Sequence, residues 1–221
     1  FLHKPVDPRL LKARVESSLA RKQHRDVQSE ALRRLVPGGP SVPRRLADAC
    51  VLVARLHGLE WPQQTPEQTV EVLNSWSTLM FDAIEGRAGE VLQFSGDGLM
   101  ALFGEPQGAA HAVQAAKDMV EVAVLFNAER RAADQAPIAF GIGIARGELM
   151  LGMAATASRA ACACIGAPVR RAERLARCCS RDGHRLLMDA DTRAGLPNGE
   201  PTLAVGEGPE CPASVIYTTR P

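Results

Sequence analysis

Apolar residues recur three or four positions apart in two long segments of the chain, a spacing that predicts two amphipathic helices. The first helix begins at the capping box TPEQ (Thr65–Gln68), which has proline at the first helical position. The second helix is expected at residues 109–133. Because each helix has a single apolar face, we expect both to pack on a sheet. The apolar face of the first helix consists of Val70, Leu73, Trp76, Met80 and Ile84.

Short apolar runs of strand length separate and follow these helices. Residues 90–104 predict a hairpin with the turn Gly96-Asp97-Gly98 at its tip, because Asp-Gly between apolar runs favours a tight turn. An arginine-rich helix is expected at residues 169–179. The order strand, helix, hairpin, helix, strand is typical of an α+β fold in which helices cover an antiparallel-rich sheet. One further strand is predicted to begin at Cys50, and three others are predicted at residues 137–145, 185–188 and 214–219.

The N-terminal part of the chain has a different pattern. Residues 8–35 predict a helix with Pro8 at its first position. The apolar stripe of this helix is narrow, so we expect the helix to pair with a copy of itself. The Pro- and Gly-rich stretch that follows it predicts a linker. We therefore assign residues 1–36 to the end of a preceding domain and a dimerisation helix, residues 37–46 to the linker and residues 47–221 to the main domain.

Composition narrows the classes of function. Lys and Arg number 26 and Asp and Glu number 25, and the resulting net charge of +1 does not support a dedicated nucleic-acid surface. No apolar run approaches the roughly 18 residues of a membrane helix, and charged residues interrupt the N-terminus where a signal peptide would be apolar. We therefore expect a cytoplasmic protein with reduced thiols that contacts neither nucleic acid nor membrane. Because the chain does not begin with Met, we also expect it to be part of a longer protein.

Three segments carry a more specific pattern. They are GDGLMALFGEP (Gly96–Pro106), GIGIARGELMLG (Gly141–Gly152) and IGAPVRRAERL (Ile165–Leu175). In this order they resemble the catalytic domain of class III nucleotidyl cyclases, the adenylyl and guanylyl cyclases, over about residues 47–196. The resemblance implies a ferredoxin-like class III cyclase fold, here with an N-terminal linker helix. The pair Lys4-Pro5 is similar to the end of a two-component receiver domain, which implies a response regulator with an upstream histidine kinase.

The resemblance also implies a site, which this chain only partly retains. In the family, two aspartates hold two Mg²⁺ or Mn²⁺ ions at the reacting phosphates. Asp97 falls at the second aspartate, whereas Arg55 falls at the first, and Asp48, Glu60 and His57 do not replace it. A guanidinium about 4 Å from a divalent ion would repel it by several kcal/mol at an effective dielectric near 20, so we expect no bound metal. We predict an Arg55–Asp97 ion pair in the space of the metals.

The remaining family positions are also altered. The purine-recognising Lys corresponds to Gln93, and its Asp or Thr partner corresponds to Ala163. The ribose-binding Asn corresponds to Arg170, whereas the transition-state Arg is kept as Arg174. The family's site forms between two protomers, so the resemblance implies a homodimer, with a mixed dimer containing an active cyclase as the alternative.

The arginine-rich helix has two interpretations. A spacing of four, three and four residues places its arginines on one helix face. That face is either solvated or an anion site at a dimer cleft, for nucleotide phosphates without metal. The arginines are Arg170, Arg174, Arg177 and Arg181.

The cysteines near this helix also allow two interpretations. Four thiolates converging on one ion would form a zinc site, but the spacing is not that of a repeated Cys-x-x-Cys pair. The other interpretation is a set of buried apolar thiols. The residues concerned are Cys162, Cys164, Cys178 and Cys179.

The sequence therefore predicts a cyclase-homology output domain of a response regulator that has lost catalysis and acts in intracellular signal transduction. It would dimerise and bind a nucleotide or a protein, without turnover and without a resident cofactor. One alternative is an active adenylate or guanylate cyclase with an atypical site, which would require Mg²⁺ or Mn²⁺. Another is a purely structural dimerisation unit with no ligand in its cleft.

Overall fold

The computed structural model describes residues 43–57, 65–95, 97–155, 160–182, 185–208 and 211–219. The predicted N-terminal helix, the end of the receiver domain and most of the predicted linker lie outside these residues. None of the helices that the structure describes has the length and apolar character needed to cross a membrane.

The described chain is an α+β fold built on one large sheet, as the sequence predicts. The helices are α1 (Pro66–Glu85), α2 (Gly108–Ala132), α3 (Ala167–Asp182) and α4 (Ala190–Ala194). The strands are β1 (Arg44–His57), β2 (Glu90–Ser95), β3 (Gly98–Phe103), β4 (Ala139–Ala155), β5 (Ala160–Ile165), β6 (Leu186–Met188), β7 (Thr202–Gly208) and β8 (Cys211–Thr219).

The sheet has the order β2-β3-β1-β4-β6-β8-β7, and β5 pairs with β4 beside this path. The pairs are antiparallel except β4 with β6, which run parallel. The predicted hairpin is the β2–β3 pair. β1 lies between β3 and β4, so it is a central strand of the sheet.

The two faces of β1 have different surroundings because successive side chains of a strand point to opposite sides. On one face, Leu52 and Ala54 join a core that includes Trp76 and Met80 of α1 and Met119 of α2, all fully buried. The other face of the sheet is covered in part by α3. Trp76 is therefore a packing residue, as the sequence predicts.

α3 lies unusually close to the sheet where β4 carries glycine. A Cβ atom added to Gly143 would lie 2.0 Å from the backbone oxygen of Ala172, and one added to Gly141 would lie 2.4 Å from that of Ala176. Only glycine leaves room for this approach. The two glycines thus set the position of the arginine-rich helix over β4.

Three details differ from the sequence prediction. β1 begins at Arg44, so residues 44–46, assigned above to the linker, are strand residues. On α1 Val72 is buried together with the predicted Trp76, Met80 and Ile84, whereas the predicted Val70 is 55% exposed because it lies about 120° around the helix from Trp76. α4 spans only five residues, too few for a periodic apolar pattern to indicate it.

Candidate functional site

Arg55 and Asp97 meet at the edge between β1 and the tip of the hairpin. Arg55 pairs in register with Gly98, and the amide of Leu56 donates a hydrogen bond of 2.7 Å to the carbonyl oxygen of Asp97. A Cβ atom at Gly98 would lie 2.5 Å from the carbonyl oxygen of Ala54, so glycine permits this close approach. The Arg55 Nη2 atom donates to Asp97 Oδ2, and this confirms the ion pair that the sequence predicts.

The carboxylate of Asp97, to which the resemblance assigns a metal ion, is instead paired with Arg55. The Arg55 guanidinium holds the pKa of Asp97 below its usual value of 3.8, chiefly through the side-chain hydrogen bond. Ser95 adds a second donor, with its hydroxyl 3.3 Å from Asp97 Oδ1. Asp97 is therefore charged but already neutralised by a fixed cation.

Arg55 stands where the resemblance places an aspartate, and among the described residues no other carboxylate takes the place of that aspartate. Asp48 accepts a 2.7 Å hydrogen bond from Arg146 Nε, so it is committed elsewhere. His57 is half-buried, and burial lowers the pKa of its imidazole, which favours the neutral form. Glu60 lies outside the described residues. In the described part of the chain, no cluster of three His, Cys, Asp or Glu side chains could hold a metal ion.

The two predicted purine-recognising positions come close together but do not form a recognition pair. Gln93 of β2 donates its side-chain amide to the carbonyl oxygen of Cys162 on β5, at 3.3 Å. Ala163, the next residue of β5, has no polar side-chain atom. The topology thus brings the family's two positions together, while the residue types leave the Gln93 amide bonded to the protein itself.

Arg170 and Arg174 both lie on α3, and they differ in exposure. Arg170 is exposed and Arg174 is half-buried. The sheet-facing side of the same helix carries Ala172 and Ala176, both fully buried. Arg177 is exposed like Arg170, and the side chain of the fourth predicted arginine, Arg181, lies outside the described part of the structure. The arginine face therefore points away from the sheet of its own protomer.

A further group of charged residues holds α3 against β4 and α4. The sequence analysis did not identify this group. Arg171 donates from Nε to Asp189 Oδ2 at 2.8 Å and from Nη2 to the carbonyl oxygen of Arg146 at 2.5 Å. Asp189 also caps α4, accepting from the backbone of Thr192 at 2.8 Å. Its position before a short helix was the one available signal. This network connects α3, β4, α4 and, through Asp48, the first residues of β1.

Cys162, Cys178 and Cys179 are buried and Cys164 is half-buried, and among the described residues they do not form a group that could hold a metal ion. Burial raises the pKa of Cys162 and Cys164 to about 11 and that of Cys179 to about 12. The Cys179 thiol lies 3.2 Å from the carbonyl oxygen of Ile142. Thiols with such pKa values are protonated at neutral pH, which agrees with the interpretation as apolar packing residues.

Comparison with known proteins places this geometry in context. No family model matches the chain. An uncharacterized protein of Mycobacterium tuberculosis is 30% identical over 133 residues, which is 60% of this chain and 23% of that protein. A second uncharacterized protein of the same species is 27% identical over 129 residues, 58% of this chain and 23% of that protein. The chain thus spans about a quarter of the length of the curated relatives it matches.

Solved structures give a closer match in fold. A bacterial light-regulated adenylyl cyclase superposes with a TM-score of 0.78 at 17% identity, covering 98% of this chain and 66% of that one. The adenylyl cyclase CyaB from P. aeruginosa superposes with a TM-score of 0.71 at 21% identity, covering 80% of this chain and 94% of that one.

A dimeric guanylyl cyclase domain of a fusion protein from the aquatic fungus Blastocladiella emersonii is also similar. It superposes with a TM-score of 0.67 at 15% identity, covering 79% of this chain and 96% of that one. The described part of this chain therefore has the fold of the class III adenylyl and guanylyl cyclase domains.

Proposed function

We propose that this chain is a catalytically degenerate cyclase-homology domain that acts in signal transduction by dimerisation and ligand or partner binding, without turnover. The observation that carries the proposal is the Arg55–Asp97 ion pair. It stands where the resemblance places two metal-binding aspartates, and it leaves one carboxylate, already paired with a cation.

Electrostatics explains why this pair opposes the family's chemistry. Phosphoryl transfer depends on metal ions that clamp the phosphates and neutralise charge that develops in the transition state. Two unit charges about 4 Å apart interact by roughly 4 kcal/mol at an effective dielectric of 20. A divalent ion at Asp97 would meet about twice that repulsion from Arg55, or it would have to displace the guanidinium. We therefore propose a function without a bound cofactor, and only the active alternative requires Mg²⁺ or Mn²⁺.

Recognition of a purine base also has little support. The Gln93 amide is bonded to the carbonyl oxygen of Cys162, and Ala163 offers no hydrogen bond. Specific base recognition rests on polar groups aimed at the base edge, and hydrogen bonds contribute selectivity when leaving them unmade is costly. A nucleotide that binds here would therefore be held through its phosphates.

A dimeric arrangement agrees with an exposed apolar pair on the β4–β5 arm. Met150 and Ile165 are directly paired across these strands and are 40% and 65% exposed. Paired exposed apolar side chains on a sheet favour burial against another protein surface. We propose a homodimer through the cyclase-like domain. We also propose a receiver domain before it, a histidine kinase upstream and a cytoplasmic location.

The test is cyclic nucleotide production by the purified protein. ATP and GTP are offered separately with Mn²⁺ and with Mg²⁺, and products are detected by mass spectrometry. We expect no cyclic product from either nucleotide. The retained Asp97 and Arg174, which has no bonded partner among the described residues, favour the alternative, an active cyclase with an atypical site. Product that is abolished by Asp97→Ala would establish that alternative and overturn the proposal.

Sedimentation analysis tests the dimer separately. We expect Met150→Glu combined with Ile165→Glu to shift the protein toward monomer, because two carboxylates would be forced into an apolar contact. The matched control is Leu203→Glu, an exposed apolar residue of β7, which is 49% exposed in the protomer. Equal effects of the two variants would contradict an interface centred on the β4–β5 arm.

A further inference from the structure

α3 has two faces with different environments. Ala172, Leu175, Ala176 and Cys179 are at most 4% exposed, and their side faces the sheet. An α-helix turns by about 100° per residue, so Arg170 and Arg174 lie about 40° apart and about 160° from Ala172. The two guanidinium groups therefore extend from the side of α3 that is opposite the sheet.

These two arginines differ from most arginines of the described chain because they have no acceptor. Arg171, between them in sequence, is bonded to Asp189 and to the carbonyl oxygen of Arg146. Arg55 is likewise paired with its aspartate. For Arg170 and Arg174, the described structure contains neither a hydrogen bond nor an ion pair.

The bonds of Arg171 hold α3, and with it Arg170 and Arg174, in place. The Asp189 side chain that anchors Arg171 is only 8% exposed, so this contact is shielded from solvent. Gly143 and the buried alanines fix the other side of the helix against β4. Two unpaired cations thus lie on a helix whose rotation and position are set by its neighbours. Less ordering is then required when an anion binds.

We propose that the Arg170–Arg174 face of α3 binds a linear oligophosphate without a divalent metal ion. Residues four apart on a helix have Cβ atoms about 5–6 Å apart, and flexible arginine side chains can converge from that spacing on neighbouring phosphoryl groups. The planar guanidinium offers paired donors that match phosphate oxygens. Two guanidinium groups supply the same charge as one Mg²⁺ ion. The inference rests on the proposed function, in which the metal position is filled by Arg55.

Arg170 supplies the second positive charge of this helix face. The family resemblance places Asn at this position, and Asn is neutral, whereas Arg170 adds a second cation one helical turn before Arg174. The nearest acidic residue of the helix in sequence, Glu173, is half-buried and has no described bond to either arginine. The site therefore has a net positive charge, and it recognises phosphate, not the base.

Isothermal titration with inorganic triphosphate in EDTA tests this site. We expect binding by the wild type and at least about tenfold weaker binding by Arg170→Gln combined with Arg174→Gln. The matched control is Arg131→Gln combined with Arg185→Gln, which removes the same charge from two exposed arginines on α2 and before β6. We expect its affinity to stay within about twofold of wild type. Absence of wild-type binding, or an equal loss in both variants, would overturn the site.

Three further ligands distinguish the source of the phosphate and the role of the base. We expect ATP to bind as tightly as inorganic triphosphate, and adenosine not to bind. Tighter binding of ATP by more than about tenfold would show base recognition and contradict a site that holds phosphate alone. Inorganic phosphate is expected to bind more weakly than triphosphate because it reaches one guanidinium at a time.

The outcome separates this inference from the proposed function. If triphosphate binds only after Mn²⁺ is added, a metal is held, and both the inference and its premise fail. If triphosphate fails to bind with or without Mn²⁺ and no cyclic nucleotide forms, the oligophosphate site fails while the degenerate domain stands. Circular dichroism of each variant establishes that a loss of binding is not a loss of fold.

Discussion

Replacing Arg55 by Asp tests the central argument by recreating the missing carboxylate. Arg55 and Asp97 are adjacent through the β1–β3 register, and their side chains are 31% and 54% exposed. The substitution removes an ion pair worth at most about 1 kcal/mol at this exposure. It also places two carboxylates near each other, about 4 Å apart, where repulsion ranges from roughly 1 kcal/mol in water to 4 at a dielectric of 20.

The exposure of Asp97 places the repulsion near the lower end of that range. We therefore expect Arg55→Asp to destabilise the metal-free protein by about 2 kcal/mol in total. For a domain of this size, that corresponds to a fall in Tm of roughly 4–8 °C. A divalent ion would reverse this loss, since a ligand at about 100 times its Kd stabilises by about 2.7 kcal/mol.

The assay is thermal unfolding with and without Mn²⁺, together with Mn²⁺ titration followed by electron paramagnetic resonance. We expect a Tm increase with Mn²⁺ in Arg55→Asp and none in the wild type. Arg55→Gln is the control, because it removes the cation without adding a carboxylate. The double variant Arg55→Asp with Asp97→Asn should lose the gained response. Wild-type Mn²⁺ binding as tight as that of Arg55→Asp would show that Arg55 does not exclude the metal.

Three other predictions concern single residues. Asp97→Asn should lower the free energy of unfolding by at most about 1 kcal/mol at neutral pH. Because the folded pKa of Asp97 is below 3.8, the difference between wild type and variant should shrink as the pH falls through that folded value. A difference in urea unfolding that stays constant with pH would contradict this. Asn127→Ala should cost about 2–3 kcal/mol in the same assay, since Asn127 is buried and bonds both the amide and the carbonyl of Ile138, at 2.8 and 2.9 Å. Gly143→Ala should cost at least about 1–3 kcal/mol by forcing α3 off β4, whereas Gly152→Ala, whose added Cβ has only ordinary contacts at 3.8 Å, should be nearly neutral by calorimetry.

The sequence determined the elements that depend on local pattern. The capping box at Thr65 forms both of its predicted hydrogen bonds, and the predicted hairpin forms, with Ser95 of β2 paired to Gly98 of β3. These features follow from neighbouring residues, so periodicity and turn chemistry suffice to predict them. The short α4 and the exposure of Val70 depend on distant neighbours, and the local pattern did not indicate them.

For the site, the sequence determined which residue types occupy each position, and the tertiary structure decided which of them meet. The type of residue 55 was enough to predict the loss of a carboxylate, and register alone predicted its contact with Asp97. The bond from Gln93 to the backbone of Cys162 and the anchoring of Arg171 by Asp189 join residues distant in sequence. Strand pairing and helix packing bring such groups together, because the free energy of burying a shared core fixes relative positions that no local pattern encodes.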